Sequence, residues 1–465
     1  MDFISSRDGD RRIARSIVLV NEAHVLALLK AGLVSQNESR RLLSELRRME
    51  RVFPEHGIEE DYHLYIEQQL TKRLGPVVGG KIHTGKSRND QVATAIRMTL
   101  RDSLLDLSNN VLSFAETLLK HAAKHVNTFF VGYTHQQPAQ PITYGHYLVS
   151  IADPLLRDSE RILEAYRRVN MSPMGAGAIA GSSYDLDRRM ISQLLGFDGL
   201  VENSLDGVSG RDFLLESLGV CSLIASDLSR VAQDWILYSS SDVDILELSS
   251  EYASTSSIMP QKKNPDPFEI VRARCASVNG NLATATILMH ALPSGYNLDF
   301  QELTPLVWNS IDTLQSCLSI MTSAVASIRP VQGVSDRYQV KFTVATELAN
   351  SLARELHAPF RDAYRWVGQA VRISLHDHRT LRDLTRSDWS KIAGRPIEES
   401  TYRILQRVGD PASNPGLYRT EGSANPAEVR RMISSRKRRV AESLLKTEKL
   451  GSRVRDSTRR TERIR

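Results

Sequence analysis

Three separated stretches of this sequence concentrate side chains that a packed core has no use for. From Ser256 to Pro265 the chain reads Ser-Ser-Ile-Met-Pro-Gln-Lys-Lys-Asn-Pro, with two adjacent hydroxyls ahead of two ammonium groups and a carboxamide. A serine acts as a general base only where N–H groups and cations stabilise its alkoxide, and Lys262, Lys263, Asn264 and the loop backbone could supply that. A basic, solvated loop has the same composition, so this stretch alone leaves both readings open. The second stretch, Gly132–Pro141, holds His135 between Thr134 and Gln136-Gln137. Imidazole is the side chain whose ordinary pKa suits proton transfer near neutrality, although a single loop histidine is more often without function. The third, His83-Thr84-Gly85-Lys86-Ser87-Arg88-Asn89-Asp90-Gln91, contains no apolar side chain. Its Arg88 and Asn89 fall where a long apolar series begins, and free N–H groups at a helix start favour anions. Ser87 or Asn89 could simply cap that helix, yet a cap needs one such residue and not a run of nine.

What must position these stretches is helical. Apolar residues recur at spacings of three and four through Ile96–Leu118, Leu148–Val169, Leu214–Trp235, Val271–Leu292 and Val307–Ile328. The second series is broken at Asp158, where the stripe expects an apolar residue. Five such stripes predict five long helices with narrow seams, each roughly 30–40 Å long at 1.5 Å per residue. Rods of that length are poorly covered within one chain, which points to a bundle shared between subunits. Cys221 and Cys275 fall on the seams and read as packing. Strand-like alternation is nearly absent, so the expected fold class is all-α. The boundaries are an N-terminal helical domain over 1–88, the central bundle over 89–340, and a C-terminal helical domain over 341–465.

Bulk properties exclude several classes. No apolar run approaches the ~18–20 residues of a membrane helix, and the start of the chain lacks a signal-peptide core, so a cytoplasmic protein without membrane contact is expected. Three scattered cysteines fit a reducing compartment rather than a disulfide framework. No Cys-x-x-Cys or His-Glu-x-x-His spacing supports a metal site, and His121 and His125, four apart, read as a solvated face. The net charge of +6 misleads, because Arg430–Arg465 carries fourteen Lys/Arg against four Asp/Glu and leaves the rest at −4. Without interleaved aromatics this basic end does not suggest nucleic-acid binding, and beyond about Leu450 a frayed, solvated tail is expected. Gly80–Ser87 matches the phosphate-loop pattern Gly-x4-Gly-Lys-Ser letter for letter. That loop needs a buried strand ahead of it, and Leu74-Gly75-Pro76-Val77-Val78 is too short and too broken to be one, so the NTPase reading is rejected.

The stretch at Ser256 resembles the signature of the fumarase/aspartase superfamily, Gly-Ser-Ser-x-Met-Pro-x-Lys-x-Asn-Pro. Its Gln-Lys-Lys-Asn-Pro-Asp form resembles the argininosuccinate lyase family in particular. His83–Gln91 and Gly132–Gln137 are similar to that family's His-Thr-Gly-Arg-Ser-Arg-Asn-Asp-Gln and Gly-Tyr-Thr-His-Leu-Gln. Met174–Gly181, Ser209–Phe213 and Leu292–Glu302 match as well, the likeness running from about Ser5 to about Ile433 with no counterpart for the basic end. The resemblance implies a fumarase-like fold and elimination of arginine from argininosuccinate to give fumarate, the last step of arginine biosynthesis. It also implies a homotetramer whose sites draw on three subunits, with no cofactor and no metal. Carried over by position, Ser256 takes the Cβ proton, with Ser257 its rival. His135, oriented by Glu269, delivers a proton to the leaving nitrogen, while Lys262 and Asn264 stabilise the carbanion. Ser6, Arg88, Asn89, Thr134, Tyr296 and Gln301 hold substrate.

The sequence departs from the pattern at five places. Thr255 replaces glycine before the serines and forbids easy positive φ, Lys86 replaces arginine while keeping the charge, and Gln136 replaces leucine. Leu298 and Thr304 stand where basic residues are frequent. Two other readings therefore stay in view: a related lyase forming fumarate from another succinyl substrate, and a non-catalytic crystallin-like structural tetramer.

Overall fold

The computed structural model of the chain describes residues 5–50, 61–255 and 258–463. The chain opens with α1 (Arg7–Lys30), α2 (Gln36–Glu50), α3 (Tyr62–Leu74) and the single turn α4 (Pro76–Gly79). Next come α5 (Arg88–Lys124), a hairpin of β1 (Phe129–Thr134) and β2 (Gln137–Thr143), and α6 (Tyr144–Val169). Short α7 (Arg188–Leu194) and α8 (Ser204–Ser209) lead to the long α9 (Asp212–Tyr238), α10 (Asp266–Met289) and α11 (Phe300–Val325). A C-terminal cluster of α12 (Ala345–Glu355), α13 (Phe360–His376), α14 (Arg386–Ala393) and α15 (Glu399–Val408) precedes α16 (Pro426–Arg463). Strands among the described residues occur only as two-stranded pairs, so the fold is all-α.

The five apolar stripes are the five long helices α5, α6, α9, α10 and α11. In α5, every member of the series from Ile96 to Leu118 is at most 4% exposed. Asp158, which interrupts the second stripe, is buried on α6 and accepts from Arg161 Nη1 at 2.8 Å. Burial, with Asp227 nearby, pushes its carboxyl up to about 6. The helices pack in a closed series, α5 on α6, α6 on α9, α9 on α10, α10 on α11, and α11 back on α5.

α5 has 37 residues and therefore spans about 55 Å, which sets the two ends of the molecule apart. At the end where α5 begins, the Arg97 guanidinium lies 3.8 Å from the ring of Phe213, where α9 starts. Arg211 lies over Phe300, the first residue of α11, at 4.4 Å. At the other end, Tyr238 closes α9 against Phe130 and Tyr133 of β1 (ring centroids 5.8 and 5.5 Å). Phe268 opens α10 against Trp235 at 5.2 Å, and His121 bonds the Ile328 carbonyl just beyond α11 at 3.3 Å.

Several expectations need correction here. The basic end is not frayed: α16 runs to Arg463 along α5, α6 and α7. Its buried face is Val429, Ile433, Val440, Thr447, Val454 and Thr461, each at most 5–6% exposed. Half of that seam's later positions are threonine, which a search for apolar periodicity passes over. Ion pairs Arg436–Asp153 and Arg439–Glu160, both 2.9 Å, and Arg453–Asp198 fix the arginines on other elements. His121 and His125 are not a solvated face either. Their rings are 4.7 Å apart and pack on Tyr144, and burial lowers both pKa values. Three apolar cores are distinct: one joins α1–α3 to the bundle and α16, a small one joins α1 to α7 around Met174 and Ile191, and the third lies within Val344–Val408 around Trp389.

Candidate active site

The turn before α5 is built by capping. Ser87 Oγ accepts from the Asn89 N–H and Asp90 Oδ1 accepts from the Ser87 N–H at 3.0 Å, a reciprocal cap that stops fraying at Arg88. The other carboxylate oxygen of Asp90 accepts from the N–H groups of Gly175 and Gly177 at 3.1 and 2.9 Å. Both glycines have positive φ (85° and 62°), which lets the amides on either side of Ala176 face one oxygen. Asp90 thus fastens the Met174–Gly181 loop over the helix start, and Asn89 Nδ2 donates to the Ala178 carbonyl of that loop at 3.3 Å. Burial outweighs these bonds and raises the Asp90 carboxyl to about 6. The residues ahead of this turn are helical, α4 followed by a 3-10 turn over Gly80–His83, so the strand a phosphate loop requires is absent.

Lys86 lies buried beneath the turn, its ammonium on Asn21 Oδ1. Burial lowers it from the ordinary 10.5 to about 7, against the pull of Asp90 and Glu67. Burial thus works against the charge that a lysine in place of arginine was expected to keep. Its neighbours His24 and His63 are likewise driven low by burial and by the lysine.

Arg88 projects from this start into a cavity of about 220 Å³ lined also by Ser6, Asp10, Asp61, His63, Arg211, Tyr296, Gln301 and Thr304. Four of the substrate-binding residues expected from sequence, Ser6, Arg88, Tyr296 and Gln301, thus meet at one place. Arg88 pairs with Asp61 at 2.8 Å, and Ser6 Oγ donates to Asp10 Oδ2 at 3.3 Å. Asp10 also accepts from the Tyr62 N–H at 2.9 Å, yet burial and the Asp61 charge raise its carboxyl to about 7. Arg211 donates from Nη1 to the carbonyls of Val208 and Gly210, both at 2.9 Å. Its Nε and Nη2 are buried with no partner among the described residues, and burial lowers it to about 10. Asp10, Asp61, His63 and Arg211 were not singled out from sequence. The four-residue step from Ser6 to Asp10 on one helix face was the available signal, and an Asp or a His on a charged helix is too common to stand out.

Thr134, His135, Lys262, Asn264 and Glu269 lie at the opposite end of the bundle. Thr134 and His135 are exposed at the tip of the β1–β2 hairpin, where Thr134 pairs with Gln137. His135 and Gln136 both have positive φ (52° and 58°), the two-residue turn usually made by Asn-Gly. Non-glycine residues held there store backbone strain of the order of 1–2 kcal/mol each, a cost that recurs at functional sites. The Ser254–Asn264 and Thr255–Lys263 pairs clamp the base of the signature loop in an antiparallel ladder. Thr255 is thus in an extended strand, a conformation that suits a β-branched residue and needs no positive φ. Ser256 and Ser257 lie outside the described residues. Lys262 is exposed and its N–H closes a turn on the Met259 carbonyl at 3.0 Å, while Asn264 Nδ2 reaches Ser254 Oγ at 3.4 Å. Glu269 is exposed in the first turn of α10, and no hydrogen bond joins it to His135 within the chain. Of the remaining departures, Leu298 is exposed, and Thr304 is buried with its hydroxyl on the Phe300 carbonyl at 3.3 Å. No group of three or more potential metal ligands occurs among the described residues.

Comparisons with known proteins place these features. A family model described as lyase matches residues 10–280, and one for the argininosuccinate lyase C-terminal region matches residues 342–409. The argininosuccinate lyase of Methanothrix thermoacetophila is 41% identical over 464 residues, covering 99% of this chain and 94% of that protein. That span reaches into the basic end, which therefore does have a counterpart. The argininosuccinate lyase of Methanocaldococcus jannaschii is 36% identical over 437 residues, 93% of this chain and 89% of its own. Among solved structures, EDDS lyase in complex with formate superposes with a TM-score of 0.88 at 30% identity, covering 97% of this chain and 90% of that one. Class II fumarase from Schistosoma mansoni shares the fold, with a TM-score of 0.70 at 16% identity over 87% of this chain and 91% of its own. With lyase family models over both regions and curated relatives along nearly its whole length, the chain belongs to the argininosuccinate lyase family.

Proposed function

We propose that this chain is a carbon–nitrogen lyase that splits argininosuccinate into arginine and fumarate. The observation that carries this is 41% identity to an argininosuccinate lyase over 99% of the chain, with Ser256, His135, Lys262 and Asn264 all present. Elimination begins with Ser256, as alkoxide, taking a Cβ proton of the succinyl group. The carbanion charge spreads onto the adjacent carboxylate, where Lys262 and Asn264 stabilise it as it develops. The C–N bond then breaks, and His135, oriented by Glu269, returns a proton to the departing guanidino nitrogen. Arg88, Asn89, Thr134, Ser6, Tyr296 and Gln301 hold the substrate. Arg211's free buried donors and the acidic pair Asp10 and Asp61 give that cavity partners for both ends of an amino acid.

The two groups of residues sit at opposite ends of a helix about 55 Å long, so one chain cannot close on one substrate. We infer a homotetramer in which one subunit's hairpin and signature loop meet another's cavity. Apolar side chains left exposed on the long helices, Leu223, Ile270 and Ile287, support the shared bundle. The unpaired buried cysteines fit a cytoplasmic setting. Leu298 and Thr304, and the likeness to EDDS lyase, favour as second reading a related lyase acting on another succinyl compound.

Purified chain incubated with argininosuccinate should raise fumarate absorbance and release equimolar arginine, with adenylosuccinate, aspartate and EDDS inert. Fumarate from EDDS alone would select the second reading. No fumarate from any of the four would leave the structural tetramer.

A further inference from the structure

His135 sits at the tip of a hairpin that its own backbone holds poorly. β2 carries Pro138 and Pro141, which have no N–H to give to the ladder with β1. The pairing also slips between Gly132 and Tyr133: Gly132 lies opposite Gln140 and Tyr133 opposite Pro138, which leaves Ala139 as a bulge. On the bundle side of the bulge the hairpin is gripped from two directions. The Phe130 ring meets Tyr144 at 5.3 Å and Tyr147 at 5.2 Å, and the Tyr418 hydroxyl donates to the Pro141 carbonyl at 3.2 Å. On the tip side, residues 133–137 make no side-chain hydrogen bond among the described residues, and the Tyr133 ring packs on the bundle. It lies on Tyr238, the last residue of α9, with centroids 5.5 Å apart and planes at 34°. Tyr238 is 9% exposed and is itself braced. Tyr147 of α6 packs edge-on against it at 5.9 Å and donates its hydroxyl to Asp234 Oδ2, one turn earlier on α9, at 3.2 Å.

We propose that Tyr133 and Tyr238 are positioning residues for the elimination, their packed rings fixing the direction in which the hairpin tip presents His135. The inference rests on the reading of His135 as the group that protonates the departing nitrogen. Proton transfer needs heavy atoms within about 2.6–3.2 Å, and a misplacement of about 1 Å can cost 10²-fold. Tyr133 lies past the bulge and two residues before His135, so a tilt of its ring swings the tip and leaves the pairing on the bundle side unchanged. His135 and Gln136, both at positive φ (52° and 58°), make a tight two-residue turn with little slack between that ring and the imidazole. No hydrogen bond of the Tyr133 hydroxyl enters this arrangement, so ring shape and packing area locate the tip.

The test is steady-state turnover of argininosuccinate by full-length variants, followed by fumarate absorbance well below each variant's thermal midpoint. Tyr133→Leu and Tyr238→Leu should each lower kcat by roughly tenfold or more, while Tyr133→Phe, which keeps the ring, should stay within about twofold of the parent. Added to His135→Asn, Tyr133→Leu should change the residual rate by no more than about twofold, because the group it aims is already gone. Tyr133→Leu as fast as the parent, Tyr133→Phe as slow as Tyr133→Leu, or an equal loss in the His135→Asn background would overturn the positioning role and leave the role of His135 standing. His135→Asn as fast as the parent would remove His135 from the reaction, and the inference with it.

Discussion

At the scale of single residues, the site is expensive to hold together, and that cost is measurable. Asp10 carries a carboxyl raised from 3.8 to about 7 by burial, so the folded chain binds more protons than the unfolded chain between those values. Stability from this group therefore falls as pH rises through that window, and the full cost is present above about pH 7. Asp10→Asn should stabilise the chain at pH 8 by on the order of 2 kcal/mol, with the gain fading by pH 4, while weakening substrate binding. Urea midpoints at fixed protein concentration would show this, and a gain independent of pH would contradict it. Lys86 has the opposite sign: lowered from 10.5 to about 7, its cost is full below about pH 7 and relieved as pH rises toward 10.5. In the elimination itself, Ser256→Ala should cut kcat by roughly 10³-fold while Ser257→Ala merely reduces it; the reverse order would identify Ser257 as the base. Ser256, Lys262 and Asn264 were proposed through the resemblance of their stretch to the superfamily signature, since its composition alone reads equally well as a basic loop. Asp10 and Arg211 were not, because their role comes from burial, which a sequence does not display.

At the scale of elements, the five long helices were readable because each buries a long apolar seam, interrupted only in α6 by Asp158. The β1–β2 hairpin was not: Pro138 and Pro141 disguise β2, and the tip uses His135-Gln136 where Asn-Gly would have signalled a turn. Thr255 shows a different failure, since replacing glycine suggested a stiffened loop, whereas the residue sits in a ladder where threonine is at home. The start of α5 depends most on one side chain. Asp90→Ala leaves the N–H groups of Ser87, Gly175 and Gly177 without their acceptor. We expect a loss of at least about 2 kcal/mol in unfolding and a raised KM, because the loop that Asn89 holds is released. A variant as stable as the parent would show that the loop is fastened elsewhere.

At the scale of the whole molecule, α16 belongs to the body of the protein. Its heptad-spaced Val440, Thr447, Val454 and Thr461 are buried, and Thr461 Oγ1 donates to the Leu194 carbonyl at 2.8 Å. Ending the chain at Gly451 should lower the thermal midpoint by several degrees, whereas a dispensable tail would leave it unchanged. The larger consequence belongs to the proposed function: the residues assigned to the active site lie towards the two ends of α5, a division that the resemblance implied. It is tested most directly by mixing two inactive variants, His135→Asn at one end and Arg88→Gln, which keeps a donor for Asp61, at the other. After joint denaturation and refolding, the mixture should release fumarate from argininosuccinate at about a quarter of the wild-type rate, since each site needs one intact copy of each end. A mixture as inactive as its components would contradict a site shared between subunits.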